Sequence, residues 1–497
     1  MGKLIRIGCG AGFWGDSAEG PKQLVESGQI DYLVLDYLAE ITMSLLAKAR
    51  AKDPNAGYAT DFPDVIARLA PQIKARGIKV VTNAGGVNPQ ACREAIATKL
   101  KAQGIELKIG IVTGDDLLAR SEEFRAQDIK EMFNGSAFPA KPWSSNAYLG
   151  AFPIAAALDA GADIVITGRC VDSAIVLGPL VHEFKWAHDD YDRLSAGSLA
   201  GHIVECGVQA TGGIVTDWKE VAADWDRMGF PIAEVSADGG CVITKPANTG
   251  GRVAPETVAE QIIYEIGDPA EYLLPDVTCD WSAVQLTQIA PDRVQLRGAR
   301  GRAPSASYKV STTFQDGFRA TGTMMMGGPD AAGKARAVAD AILKRTRRMM
   351  SERGFADYRR TDVEVLGAEA NWGANARAGA TREVILKLAL HHDNKDALEI
   401  FSREFIPAAT AMAQGITGFS GGRPGVTPVV RLFSWLVPKA SVEAKADVDG
   451  LAVEVAAAPA GARPAHDAGS ESRARPAPAT AAIPGATKIV PLVQLAY

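Results

Sequence analysis

Apolar runs and amphipathic stretches alternate over residues 1–180, and the apolar runs end in polar or Gly-rich segments. Leu4–Gly8 predicts a short strand running into GCGAGFWGD, and Asp31–Leu35 a second one that ends at Asp36-Tyr37 and enters a helix through Glu40. Asp64–Arg76 predicts a helix, Lys79–Thr82 a strand ending in NAGGVNP, Pro89–Gln103 a helix, and Leu107–Val112 a strand ending in TGDD. Ala151–Ala160 predicts a helix and Asp163–Thr167 a strand ending in GRCVD. Strands that are apolar throughout and separated by helices predict an α/β fold, a mostly parallel sheet with helices on both faces. Ligands of such sheets sit beyond the carboxyl ends of the strands, at loops of this kind. A TIM-like barrel obeys the same rule and fits the same pattern.

From about Asp238 the pattern changes to short, β-branched, turn-bounded segments such as Gly240–Thr244, Arg293–Leu296 and Tyr308–Thr313. A long helix from about Ala331 then precedes the strands DVEVLGA and EVILKLAL, a helix over Lys395–Gln414 and a strand over Val429–Val437. The expected division is an N-terminal α/β domain over 1–237 and a mixed α/β second domain over 238–454. Residues 455–485 are rich in Ala and Pro without large apolar side chains, the composition of a linker. The apolar 486–497 (ATKIVPLVQLAY) is strand-like and too short to fold alone.

A chain of 497 residues can bury more than one core, and 47% hydrophobic with 22% charged residues is ordinary for globular proteins. A formal net charge of -5 offers no electrostatic footprint for nucleic acid and no polybasic membrane patch. The N-terminal apolar stretch is too short and Gly-rich for a signal peptide, and no segment has the apolar length of a membrane span. The six cysteines are scattered with no C-x-x-C pair, which predicts reduced thiols in the cytoplasm and no structural zinc. The six histidines hold no H-E-x-x-H, so no cofactor is identified, although carboxylates could still hold a divalent metal such as Mg²⁺.

Several strand ends carry candidate chemistry. In Gly8–Asp16, Gly10 and Gly12 would let backbone N–H groups approach an anion or form a tight turn, and Trp14 would cap an apolar substrate tail or simply pack. The spacing is neither G-x-G-x-x-G nor a Walker A loop. Asp36 and Glu40 stand four apart and would share a helix face if the helix began at Asp36. Mutual repulsion would then split them into acid and base. Asp36 reads equally as a helix N-cap, and Asp115, a candidate substrate-binding carboxylate, and Asp116 read more readily as N-caps. In NAGGVNP, Asn83, Gly85 and Gly86 suit carbonyl or oxyanion recognition, and equally a strand-to-helix turn. In TGRCVDSA, Arg169 can clamp a carboxylate or phosphate beside Asp172. Cys170 there is a candidate nucleophile if a helix N-terminus lowers its pKa, and otherwise a small buried hydrophobe. His202 and Glu205, three apart on a predicted helix, form a candidate base or a packed polar pair. Lys245 in KPANTGG could bind an anionic group or lie in a solvated turn.

Taken in order, GFWGD, LDYLAE, YATDF, TNAGGVNP, VTGDDL, GADIVITGRCVDSA, LGPLVHEF, GHIVECGVQATGG, ITKPANTGG and YEIGDPAEYLLPDV make the chain similar to the acyclic terpene utilisation AtuA family from about Leu4 to Val437. The resemblance implies catabolism of acyclic terpenes or branched acyl-CoA thioesters, alongside acyl-CoA carboxylases, hydratases and dehydrogenases. It supplies no catalytic residue. Longer relatives continue after a linker into a small ferredoxin-like domain that opens with a strand similar to VPLVQLAY. That implies either a separate small ferredoxin-like subunit as partner or a truncated frame. Together with the residues, the resemblance leads us to expect acid/base chemistry of hydratase or lyase type on a CoA thioester or hydroxy acid. Asp36 and Glu40 would be the acid/base pair, Asn83–Gly86 the carbonyl loop, Arg169 the anion clamp and His202–Glu205 a second base. The competing expectations are a thioester hydrolase or acyltransferase through Cys170, and a non-catalytic scaffold subunit. A homo-oligomer is expected, with no nucleic-acid or membrane partner.

Overall fold

A computed structural model describes residues 2–457, apart from Ser420 and the side chain of Glu40. The expected linker and terminal strand lie, from residue 458 on, outside the described residues. Of the described residues, those up to Phe314 together with 432–457 form one compact unit, and Gln315–Arg431 form a second.

The first unit is built on an open sheet of eleven strands. Its elements are β1 (Leu4–Cys9), α1 (Glu19–Ser27), β2 (Tyr32–Leu35), α2 (Glu40–Lys52), α3 (Phe62–Arg76), β3 (Lys79–Thr82), α4 (Pro89–Ala102) and β4 (Ile109–Thr113). There follow α5 (Ser121–Ala126), β5 (Pro142–Ala147), α6 (Phe152–Asp159), β6 (Ile164–Thr167), α7 (Ala174–Phe184), α8 (Tyr191–Val204), β7 (Ile232–Ser236) and β8 (Cys241–Thr244). The centre of the sheet is parallel in the order β1-β2-β3-β6-β4, with Ile7 opposite Tyr32, Leu33 opposite Val80, Val81 opposite Val165 and Ile111 opposite Ile166.

Every residue of β2 and of β6 is buried. This is why these strands read as unbroken apolar runs. Alternation along them feeds two separate cores. Leu33, Leu35, Val80, Ile164 and Ile166 join Leu24, Ile66, Ile73 and Ile96 of α1, α3 and α4. Tyr32, Val34, Val81 and Val165 join Ile154, Leu177, Leu180 and Ile203 of α6, α7 and α8. Each such Leu or Ile contributes roughly 1.5–3 kcal/mol by leaving water. Helix ends follow local chemistry: Asn88 accepts from the Ala91 N–H ahead of Pro89 in α4, and Gly77, at φ 65°, closes α3.

The sheet does not stay parallel at its flanks. β7 lies antiparallel on β1 and β8 on β7, and Arg293–Arg297 and Gln285–Ala290 continue antiparallel beyond them. At the other edge Lys445–Val448 lies antiparallel on β4, with Leu451–Val453 beyond. The break expected after residue 237 therefore falls inside the β7–β8 hairpin, and the strands Cys241–Thr244, Gln285–Ala290 and Arg293–Arg297 extend the first sheet. The strand order has two free ends, which sets aside the barrel alternative.

In the second unit, Phe318–Gly327 pairs antiparallel with Glu383–His392, which pairs with Arg360–Leu366. The helices Ala331–Glu352 and Lys395–Phe405 supply Val338, Ile342, Leu398 and Phe401 to a core shared with Leu386 and Leu388. No helix among the described residues is long and apolar enough to cross a membrane.

Candidate functional site

The parallel strands deliver polar side chains to one edge of the sheet. Asp36 follows β2, Asn83 follows β3, Asp115 lies just past β4, and Arg169 and Asp172 follow β6. The end of α8 joins them with His202 and Glu205, and the Cys9 thiol at the end of β1 donates to the backbone carbonyl of Glu205 at 3.6 Å.

Asp36, Asp172 and Glu205 each present a carboxylate oxygen, and these oxygens lie within 4.8 Å of one another. Asp36 and Glu205 are buried at 4% and 6% exposure, while the Asp172 side chain keeps 32% and opens the cluster to solvent. Such a spacing suits a shared proton, and equally a hard divalent cation. Burial raises the Asp36 carboxyl well above its ordinary value, and the charges of Asp172 and Glu205 add to it, while Asn83 and Arg169 oppose the shift. Glu205 is raised by burial, by Asp172 and by Glu265, against Arg169. The Arg169 Nη1 donates to Asp172 Oδ1 at 3.0 Å and to the Leu38 carbonyl, and its guanidinium lies 4.4 Å from the Tyr148 ring centre. Beneath it, the Arg169 backbone N–H and Asn146 Nδ2 both donate to Asp115 Oδ2 at 2.8 Å, and burial raises Asp115 to about 7. His202 is 2% exposed, its Nδ1 stands 3.1 Å from Glu205 Oε1, and its ring stacks on Trp281 at 5.3 Å.

The expected helix start at Asp36 is not found. The helix begins at Glu40 and not at Asp36, so the two do not share a helix face, and the Glu40 side chain lies outside the described residues. Asp36 instead meets two carboxylates from far along the chain. Asn83 is engaged within the protein: its Nδ2 donates to Asp36 Oδ1 at 2.7 Å and its Oδ1 accepts the Tyr37 N–H at 2.7 Å. Gly85 and Gly86 are packing positions, since a Cβ would come within 2.5 Å of the Thr167 carbonyl at the first and 2.4 Å of Leu46 at the second.

The glycines of the first loop are likewise filled by protein. A Cβ on Gly10 would meet Pro21 at 3.0 Å and one on Gly12 the Cys206 backbone at 2.6 Å, and the Gly12 N–H is taken by Asp16 Oδ2 at 2.9 Å. Trp14 is half-buried and donates to Asp61 Oδ1 at 2.7 Å. Neither Asp115 nor Asp116 is a helix cap: Asp115 is a buried anchor, and Asp116 Oδ1 accepts the Leu118 N–H at 3.0 Å ahead of a short helical turn whose N-cap is Leu117.

Cys170 is 1% exposed, and burial pushes its thiol up, the direction opposite to that required of a thiolate nucleophile. Lys245 lies apart from the carboxylates, on a cleft of about 680 Å³ shared with Arg6, Glu234, Asp292 and Arg293. There its amine donates to the Thr249 carbonyl at 2.9 Å and faces Asp292 at 3.2 Å.

Sequence reasoning located most of the cluster but overlooked its supports. Tyr148, Asn146 and Trp281 stand in no motif, and only the fold brings them to Arg169, Asp115 and His202.

Fold and site define an α/β protein with a buried carboxylate cluster at the carboxyl ends of parallel strands. The family model described as acyclic terpene utilisation family protein AtuA matches residues 5–448, and the chain belongs to that family. Its membership places it in the utilisation of acyclic terpenes, a catabolic role. No curated protein and no solved structure matches the chain.

Proposed function

We propose that this protein is an enzyme of acyclic terpene or branched acyl-CoA breakdown that adds or removes water at a CoA thioester or hydroxy acid. The observation that carries the reading is the cluster itself: three carboxylates with oxygens within 4.8 Å, two of them buried, beside one arginine. Three negative charges cannot persist there against a single guanidinium, so at least one carboxyl holds a proton near neutrality. A site with one protonated and one ionised carboxyl has an acid and a base in place at once. An elimination takes the α-proton onto a carboxylate and gives a proton to the departing hydroxyl, and hydration reverses both transfers. Substrate enters past Asp172, and Arg169 attracts its anionic group. The reading takes the helices as covering both faces of the parallel strands, so that only the carboxyl edge is free for ligand.

The test is a panel of branched 3-hydroxyacyl-CoA and enoyl-CoA substrates followed by absorbance of the conjugated thioester. Asp36→Asn and Glu205→Gln are each expected to lose roughly 10²–10⁴-fold in turnover with the circular dichroism spectrum unchanged. Wild-type turnover in both variants, or no turnover of the panel by the parent with or without Mg²⁺, overturns the reading. Chelation is expected to leave turnover intact; loss that Mg²⁺ restores would put a cation where the shared proton is placed.

A further inference from the structure

The three carboxylates are not equivalent, and their partners rank them. Asp36 Oδ1 accepts two N–H hydrogen bonds, from Asn83 at 2.7 Å and from the Leu38 backbone at 3.2 Å, and such donors favour the ionised form. Asp172 has the Arg169 guanidinium at 3.0 Å and is part-exposed, which also favours the anion. Glu205 has neither. The one hydrogen-bond partner of its side chain among the described residues is His202. It directly follows α8, and the helix dipole opposes a negative charge at that end. Asp172 and Glu265 face it as further negative charges, with Arg169 the opposing one.

His202 cannot act as the site's base from where it stands. Its ring is sealed by Trp281 at 5.3 Å and Tyr272 at 6.0 Å, and α9 (Pro255–Ile263) closes its backbone side through Gln261, whose Nε2 donates to the His202 carbonyl at 3.2 Å. Burial holds the imidazole below its ordinary pKa, against smaller opposing effects of the Ile262 and Gln261 backbone, Glu265 and Asp172. A neutral imidazole has one acceptor nitrogen and one donor, and with Nε2 buried and without a partner among the described residues the bond between Nδ1 and Glu205 runs either from the ring or from the carboxyl.

We propose that His202 is a positioning residue: its Nδ1 accepts a hydrogen bond from the carboxyl of Glu205, which makes Glu205 the proton-bearing member of the cluster and leaves Asp36 and Asp172 ionised. The assignment rests on the acid/base reading above and names its players. In an elimination Asp36 takes the α-proton, the bond from carbon to the hydroxyl oxygen breaks, and the Glu205 O–H turns from His202 to that oxygen, which takes the proton and leaves as water.

The test needs no substrate, so it separates from the turnover assay. Full-length protein labelled with ¹⁵N in histidine rings and ¹³C in Glu carboxyls is examined by NMR between about pH 6 and pH 8, a range that brackets the ordinary histidine pKa. The His202 signal, assigned by its loss in His202→Phe and its shift in Glu205→Gln, is expected to be neutral with the proton on Nε2. The Glu205 carboxyl carbon is expected at its protonated position at neutral pH, and in His202→Phe its titration is expected to move by at least ~1 unit. A proton on Nδ1, an imidazolium, or an ionised Glu205 at neutral pH overturns the proposal. If His202→Phe does not fold, the Glu205→Gln shift assigns the ring and the parent spectra decide the question alone.

Discussion

Asn83 carries two hydrogen bonds that a carbonyl-binding loop would leave for a ligand, one to Asp36 Oδ1 and one from the Tyr37 N–H. It ties the ends of β2 and β3 together and fixes which oxygen of Asp36 turns toward the cluster. Asn83→Ala leaves a buried N–H without a partner and Asp36 without its best donor, at a cost of about 1–3 kcal/mol. A urea titration is expected to show a lower midpoint with an unchanged slope; an unchanged midpoint would remove the strut role. Gly12 is constrained in a different way. A methyl there would sit 2.6 Å from the Cys206 carbonyl carbon, which is backbone and cannot swing aside as a side chain would. Gly12→Ala is therefore expected to destabilise by about 1–3 kcal/mol through overpacking. A ligand-cradling glycine would instead lose binding and keep its stability, so thermal melts with and without an acyl-CoA distinguish the two roles.

At the scale of elements, what the sequence made legible is what short segments determine by themselves. The strand expected over Asp31–Leu35 forms as Tyr32–Leu35 and the helix over Asp64–Arg76 as Phe62–Arg76, because unbroken apolar runs and a closing glycine are local signals. The antiparallel flanks were not legible. Ala446 pairs with Val112 across more than three hundred residues, and no window of the chain contains both. The site divides in the same way. Asp36, Asp115, Arg169 and Asp172 could be found because each follows an apolar strand. The meeting of Asp36 with Asp172 and Glu205 could not, since they stand far along the chain and only the fold brings them together. Gly114 gives this edge of the sheet a specific test. It has φ 107°, and a Cβ there would stand 2.1 Å from the Glu443 carbonyl. Gly114→Ala is expected to release Lys445–Val448 from β4, seen as faster hydrogen exchange of those amides while β2 and β3 stay protected. Uniform exchange across the sheet would instead show that the edge folds with the rest as one unit.

At the scale of the whole molecule, the buried acids set how stability depends on pH. Asp115 is raised to about 7, and Asp276, whose Oδ2 accepts the Ala151 N–H at 2.7 Å, to about 6, both by burial. Asp36 and Glu205 are raised as well. Between the ordinary aspartate value and these folded values the native state binds more protons than the unfolded chain, so stability falls as pH rises through that window. The stability linked to these groups is fully present below the unfolded pKa and lost once pH passes the folded one. Surface carboxylates such as Asp316 and Asp357, held down by arginines, lean the other way, but only toward the acid end where they take up protons. Burial lowers Lys439 to about 8, which opposes the trend on the alkaline side, and it lowers His202 and His188, which oppose it below about pH 6.5, fewer groups than the raised carboxyls. The melting temperature is therefore expected to be higher at about pH 5.5 than at about pH 8. Asp115→Asn keeps an acceptor for the Arg169 and Asn146 donors but cannot ionise, so it should flatten the slope and raise stability mainly at the higher pH. A parent that melts no lower at the higher pH, or an Asp115→Asn profile parallel to the parent's, would mean that Asp115 is ionised in the fold and that the cluster above it carries one more negative charge.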